Sequence, residues 1–134
     1  MIFKQLFAAM LFAALFSLAA CHKDDHNHND NDTEAPVLVI KKPTEGQLVS
    51  GMLHIELTVS DKSLHELRVE VIRESDGMVI VSDKAHVHNK KEHTYNKEFS
   101  LSMLSEESRL SMKVQVEDHS NNKTERTIKF NAKP

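Results

Sequence analysis

From Ala35 onward, apolar and polar residues alternate with period two, the spacing that sends successive side chains of a strand to opposite faces. Leu53, Ile55, Leu57 and Val59 alternate with His54, Glu56, Thr58 and Ser60. Leu67, Val69 and Val71 alternate with Arg68 and Glu70. Tyr95, Lys97, Phe99 and Leu101 share one face of a further run, and Leu110, Met112, Val114 and Val116 share one face of another. Shorter runs complete the set: Val37 to Ile40, Met78 to Ser82, and Thr127 to Phe130. Turn chemistry separates them at Thr44-Glu45-Gly46, Ser75-Asp76-Gly77 and His119 to Lys123. Ser102 to Ser108 is a polar connection with room for one helical turn. Seven short strands at this spacing predict an all-β fold, a seven-stranded antiparallel β-sandwich over residues 35–134.

The first 20 residues follow a different pattern. Lys4 is followed by an apolar run from Leu6 to Phe16, a charged head and hydrophobic segment of signal-peptide length. The run is short for a membrane span, which needs about 20 apolar residues. It ends in Leu18-Ala19-Ala20-Cys21. This resembles the lipobox of bacterial lipoproteins. The resemblance implies diacylglycerol on the Cys21 thiol, cleavage of residues 1–20 before it, and a membrane tether at the new N-terminus. Cys21 is the only cysteine, so no disulfide within the chain is available.

Removing those 20 residues from the 134 leaves 114, enough for one domain with one modest core. The loss of Lys4 moves the net charge from −3 to −4, and no basic face argues for nucleic acid. Residues 21–34 are the lipidated cysteine and a polar tail, His22-Lys23-Asp24-Asp25-His26-Asn27-His28-Asn29-Asp30-Asn31-Asp32-Thr33-Glu34. The tail has no apolar side chain to offset the entropy of ordering it, and reads as a disordered tether. Lys23-Asp24-Asp25 behind the cysteine resembles the acidic export signal of Bacteroidota surface lipoproteins. That resemblance implies an outer-membrane lipoprotein facing outward.

The ending Val114-Gln115-Val116-Glu117-Asp118-His119-Ser120-Asn121-Asn122 is similar to the last hairpin of bacterial immunoglobulin-like and fibronectin-like modules, which often read V-x-V-x-D-x-x-G-N. Asn121 stands where those modules usually carry Gly, and Asn tolerates the left-handed conformation. His86-Val87-His88 resembles the His-x-His segment of an uncharacterised group of Ig-like Bacteroidota lipoproteins. Both resemblances imply an Ig-like sandwich. Neither implies an activity, because such sandwiches host unrelated functions.

Nine histidines are the unusual feature of the composition. If successive strands reverse direction, the connections after Val59, after Ser82 and after Val116 fall at the end where the tether enters. His65, His86, His88, His93 and His119 then lie at that end, and His22, His26 and His28 lie in the tether. His54 alone stands apart, on an outward strand face. On an extended segment His86 and His88 point the same way, roughly 6–7 Å apart, and two imidazoles so placed can share a metal ion. His93, His65 or His119 would add a third ligand. Asp118, His26 and His28 are weaker candidates. Imidazole suits zinc or copper, and a closed thiolate site is excluded by the cysteine count.

The sequence therefore predicts a lipid-anchored protein with a His-rich transition-metal site at one end of an Ig-like domain, for metal capture or delivery to an outer-membrane receptor. The alternative is a non-catalytic interaction or adhesion module of a surface complex, pairing through Met78 to Ser82 or Thr127 to Phe130 as sheet edges. No Gly-x-Ser-x-Gly, phosphate loop or His-Glu-x-x-His frames an enzyme, and the chain is not expected to be one.

Overall fold

A computed structural model describes residues 32–134. Residues 1–31 lie outside the described residues, and with them the expected signal segment, Cys21, His22, His26 and His28. The described chain forms eight strands: β1 (Val37–Lys42), β2 (Leu48–Ser50), β3 (Met52–Ser60), β4 (Leu64–Arg73), β5 (Val79–Ala85), β6 (Glu92–Ser100), β7 (Ser108–Asp118) and β8 (Lys123–Lys133). They make two sheets, ordered β1-β3-β6 and β2-β8-β7-β4-β5. No helix among the described residues is long and apolar enough to cross a membrane.

Alternation sets which face is buried. Leu53, Ile55, Leu57 and Val59 of β3 and Leu110, Met112, Val114 and Val116 of β7 are almost wholly inaccessible. With Leu67, Val69 and Val71 of β4 they form one core between the sheets. Each such side chain contributes about 1.5–3 kcal/mol on removal from water. The Ser102 to Ser108 connection holds a turn at 102–103 and a bend at 105–106 rather than a helix, with Leu104, and Leu101 just before it, buried in the core.

The structure corrects the strand count from seven to eight. β2 has three residues and one buried side chain, Val49, too short for alternation to register. Gly46 and Gly51, both with positive φ, bracket it and let the chain leave the first sheet after β1 and return to it at β3. β2 also pairs parallel to β8, Leu48 facing Asn131 and Ser50 facing Lys133, so the sandwich is not wholly antiparallel.

The outer side of β8 is covered by β2 only at Asn131 to Lys133, so Thr127 to Phe130 pairs with β7 alone, with Lys129 capped from its other side. The Lys129 carbonyl accepts from the Gly46 N–H at 2.8 Å, and the Lys129 N–H donates to the Glu45 carboxylate at 3.0 Å. Val79 to Ser82, the strand part of the expected Met78 to Ser82 edge, does fall at an edge, in β5.

Candidate metal centre

Three connections meet at the end where the chain enters the sandwich: residues 61–63, 86–91 and 119–122. Backbone hydrogen bonds lash them together. The Asp61 N–H donates to the Lys91 carbonyl at 3.0 Å and the His119 N–H to the Ser63 carbonyl at 3.1 Å. Leu64, the first residue of β4, donates its N–H to the Lys90 carbonyl and accepts from the Asn89 N–H, both at 2.9 Å.

Each histidine of this end is placed by a local device. His65 sits at a β-bulge. Leu64 faces Asp118 and Glu66 faces Glu117 across the β4–β7 ladder, so His65 is the extra residue with no opposite number. A bulge re-aims the side chain it inserts. Val87 is buried in the core between exposed His86 and His88. The chain then turns, with the Lys90 N–H donating to the Val87 carbonyl at 2.9 Å. Asn89 takes φ 61° at the second central position, a left-handed conformation Asn tolerates. That turn puts His88 at a corner beside the start of β4. His119 opens the β7–β8 turn, where Asn121 adopts φ 65°.

The result is a group of three exposed imidazoles, His65, His88 and His119, whose candidate ligand nitrogens lie within 4.8 Å of one another. The Nδ1 atoms of His65 and His88 are 3.3 Å apart. Ring centroids are separated by 5.4 Å for His65 and His88, 4.7 Å for His65 and His119, and 4.5 Å for His88 and His119. Two ligands of a tetrahedral ion at 2.0–2.1 Å stand roughly 3.4 Å apart, so the His65–His88 spacing suits a shared metal with little movement. Three imidazoles leave a fourth position open to water or an external ligand.

The other candidates are placed elsewhere. His86 is outside the group, because the turn after Val87 redirects His88 and leaves His86 on the β5 side. His93 lies in β6, facing Val59 of β3, half-buried on the same strand face as Tyr95. Burial, with the charges of Lys90 and Lys97, pushes its pKa down from 6.5. Asp118 is buried, and its carboxylate accepts from the Ser120 N–H at 2.7 Å, the Asn122 N–H at 2.8 Å and the Asn122 side chain at 2.7 Å. It belongs to a separate carboxylate group with Asp32 and Asp61. There Asp32 meets Lys62 at 3.2 Å, and its carbonyl accepts from Asn122 Nδ2 at 2.9 Å. These contacts dock the start of the domain against the β7–β8 turn. His54 is on the outer face of β3, 2.7 Å from Asn96 Oδ1.

Asn89, Val87 and the bulge at His65 are the positioning features that strand alternation did not reveal. The bulge has a sequence trace: Leu64 and Leu67 are both buried although three residues apart, a spacing a regular strand cannot bury.

No protein-family model matches this chain, and a comparison with curated proteins finds no match. Solved structures do resemble it in fold. CopC from Methylosinus trichosporium OB3b aligns at 16% identity with a TM-score of 0.51, covering 74% of this chain and 94% of that one. An engineered protein aligns at 16% identity and TM-score 0.51, covering 74% of this chain and 20% of that one. The endo-beta-1,4-mannanase from Thermotoga petrophila aligns at 12% identity and TM-score 0.52, covering 78% of this chain and 21% of that one. This chain thus spans about a fifth of the engineered protein and of the mannanase, and nearly all of CopC. At these identities the likeness is one of β-sandwich fold.

Proposed function

We propose that the protein is a lipid-anchored outer-membrane lipoprotein whose Ig-like sandwich binds a transition metal, zinc or copper, through His65, His88 and His119. It would capture the ion and pass it to a receptor, without catalysing a reaction. The observation that carries this reading is the convergence of three imidazoles from three connections, with two nitrogens 3.3 Å apart. Nothing in strand packing requires three imidazoles to meet at one exposed point. Anchoring is supported by Leu18-Ala19-Ala20-Cys21, and the described chain enters the domain at the same end as the site, where Asp32 meets Lys62 and Asn122.

Isothermal titration of zinc and of copper at pH 7.5 tests the site. A Kd tighter than about 100 µM is expected, lost on replacing His65, His88 and His119 together by Ala. Absence of binding by the parent protein sinks the reading. Because protons compete for imidazole nitrogen, binding weakens as the pH falls.

The second reading, an interaction module, is favoured by exposed apolar side chains on edge strands: Val37 and Val39 on β1, and Val79 on β5. Capture of a partner from outer membranes that is indifferent to chelator would support it over metal handling.

A further inference from the structure

Beside the three imidazoles the surface opens into a hollow of about 370 Å³ lined by His65, Glu66, Lys84, His86 and His88. Two of these belong to the triad, so the hollow is the solvent side of the metal position. Glu66 is committed elsewhere, paired with both Lys84 and Arg68. An ammonium group has no lone pair to offer. His86 is then the hollow's remaining nitrogen donor, exposed and separated from His88 by one buried residue.

We infer that this hollow is the port through which metal enters and leaves, and that His86 is its exchange ligand, holding the ion briefly between an external carrier and the triad. The inference rests on the triad's holding metal. Four-coordinate zinc expands to five-coordinate when a fifth ligand joins it. A His86 nitrogen lone pair forms the new bond to the ion, and a carrier ligand then departs with its own lone pair. No electron or proton need change hands. Among the lining residues the one carboxylate, Glu66, is paired with the one lysine, Lys84, so the hollow carries no excess charge to repel or collect an incoming metal complex.

The test is a stopped-flow transfer of zinc, on the full lipid-free chain, to and from an aminopolycarboxylate chelator. The parent is compared with His86→Ala, His88→Ala and His54→Ala. His86→Ala is expected to keep its equilibrium Kd within about threefold while slowing transfer in both directions by about tenfold. His88→Ala should lose affinity, and His54→Ala should match the parent. If His86→Ala transfers as fast as the parent, the port assignment falls and the triad stands. If His86→Ala loses affinity as His88→Ala does, His86 is a resident ligand and the assignment again falls. If the parent takes up no zinc, the triad falls and the port with it.

Discussion

At the scale of single residues, the molecule distinguishes histidines that look alike in sequence. His93 shares the inward strand face with Tyr95, and its pKa is pushed down by burial and by nearby lysine charge. A histidine with a lowered folded-state pKa binds its proton more readily in the unfolded chain. Its neutral form therefore supports the fold above about 6.5, and that support is lost as the pH falls through this value toward the lower folded-state one. His93→Gln is expected to flatten the fall in melting temperature between pH 7 and pH 5, measured without metal. An equal fall in both proteins would contradict the assignment. Asn89 is tested by backbone chemistry. With φ at 61°, Asn89→Gly should be near neutral, whereas Asn89→Val should cost about 1–2 kcal/mol, readable by urea denaturation. The same valine variant should bind metal more weakly, because His88 precedes this residue in the turn.

At the scale of elements, the site depends on how β5 and β6 are joined. These strands belong to different sheets, and 86–91 bridges them. Across that gap Asp83 of β5 accepts from the Tyr95 hydroxyl at 2.7 Å and from Lys97 Nζ at 2.6 Å, both on β6. Lys97 and then Tyr95 hold the Asp83 carboxyl below its ordinary range. Its contribution is thus present above the unfolded value near 4 and lost as the pH falls through the depressed one. Tyr95→Phe removes one hydrogen bond and should cost about 1 kcal/mol. Val87 is the other anchor of this bridge. Val87→Ala deletes two buried methyl groups and should cost about 2 kcal/mol. It should also weaken zinc binding in titration, since the valine is what seats His88. Unchanged affinity in Val87→Ala would mean that the Lys90–Val87 turn alone positions the imidazole.

At the scale of the whole molecule, the two-sheet sandwich gathers distant residues. His65 and His119 are brought together by the β4–β7 pairing, where the bulge at His65 offsets the ladder. The entry of the domain is docked at the same end through Asp32, Lys62 and Asn122. The proposed lipid anchor is tested at this scale too. If Cys21 carries the lipid, Cys21→Ser is expected to move the protein from the membrane to the soluble fraction of cells, while the domain's zinc titration is unchanged. Membrane retention of that variant would count against a lipid tether.

Alternation alone determined the β class and the inward residues of β3, β4 and β7, because a strand's period of two is a local steric property; the common end of His65, His88 and His119 followed only with the added premise that successive strands reverse direction. Alternation could not reveal β2, whose single buried valine and parallel partner depend on a strand some 80 positions away. Nor could it choose among the histidines. The pairing of His86 with His88 assumed an extended segment, whereas the Lys90 N–H bond to the Val87 carbonyl, braced by backbone bonds to and from Leu64, makes a turn that sends only His88 to the cluster. His65 reached the cluster through a bulge, which exists only once β4 is registered against β7. Metal-ligand distances are set to tenths of an ångström by such tertiary registers, and one-dimensional spacing carries no information at that precision.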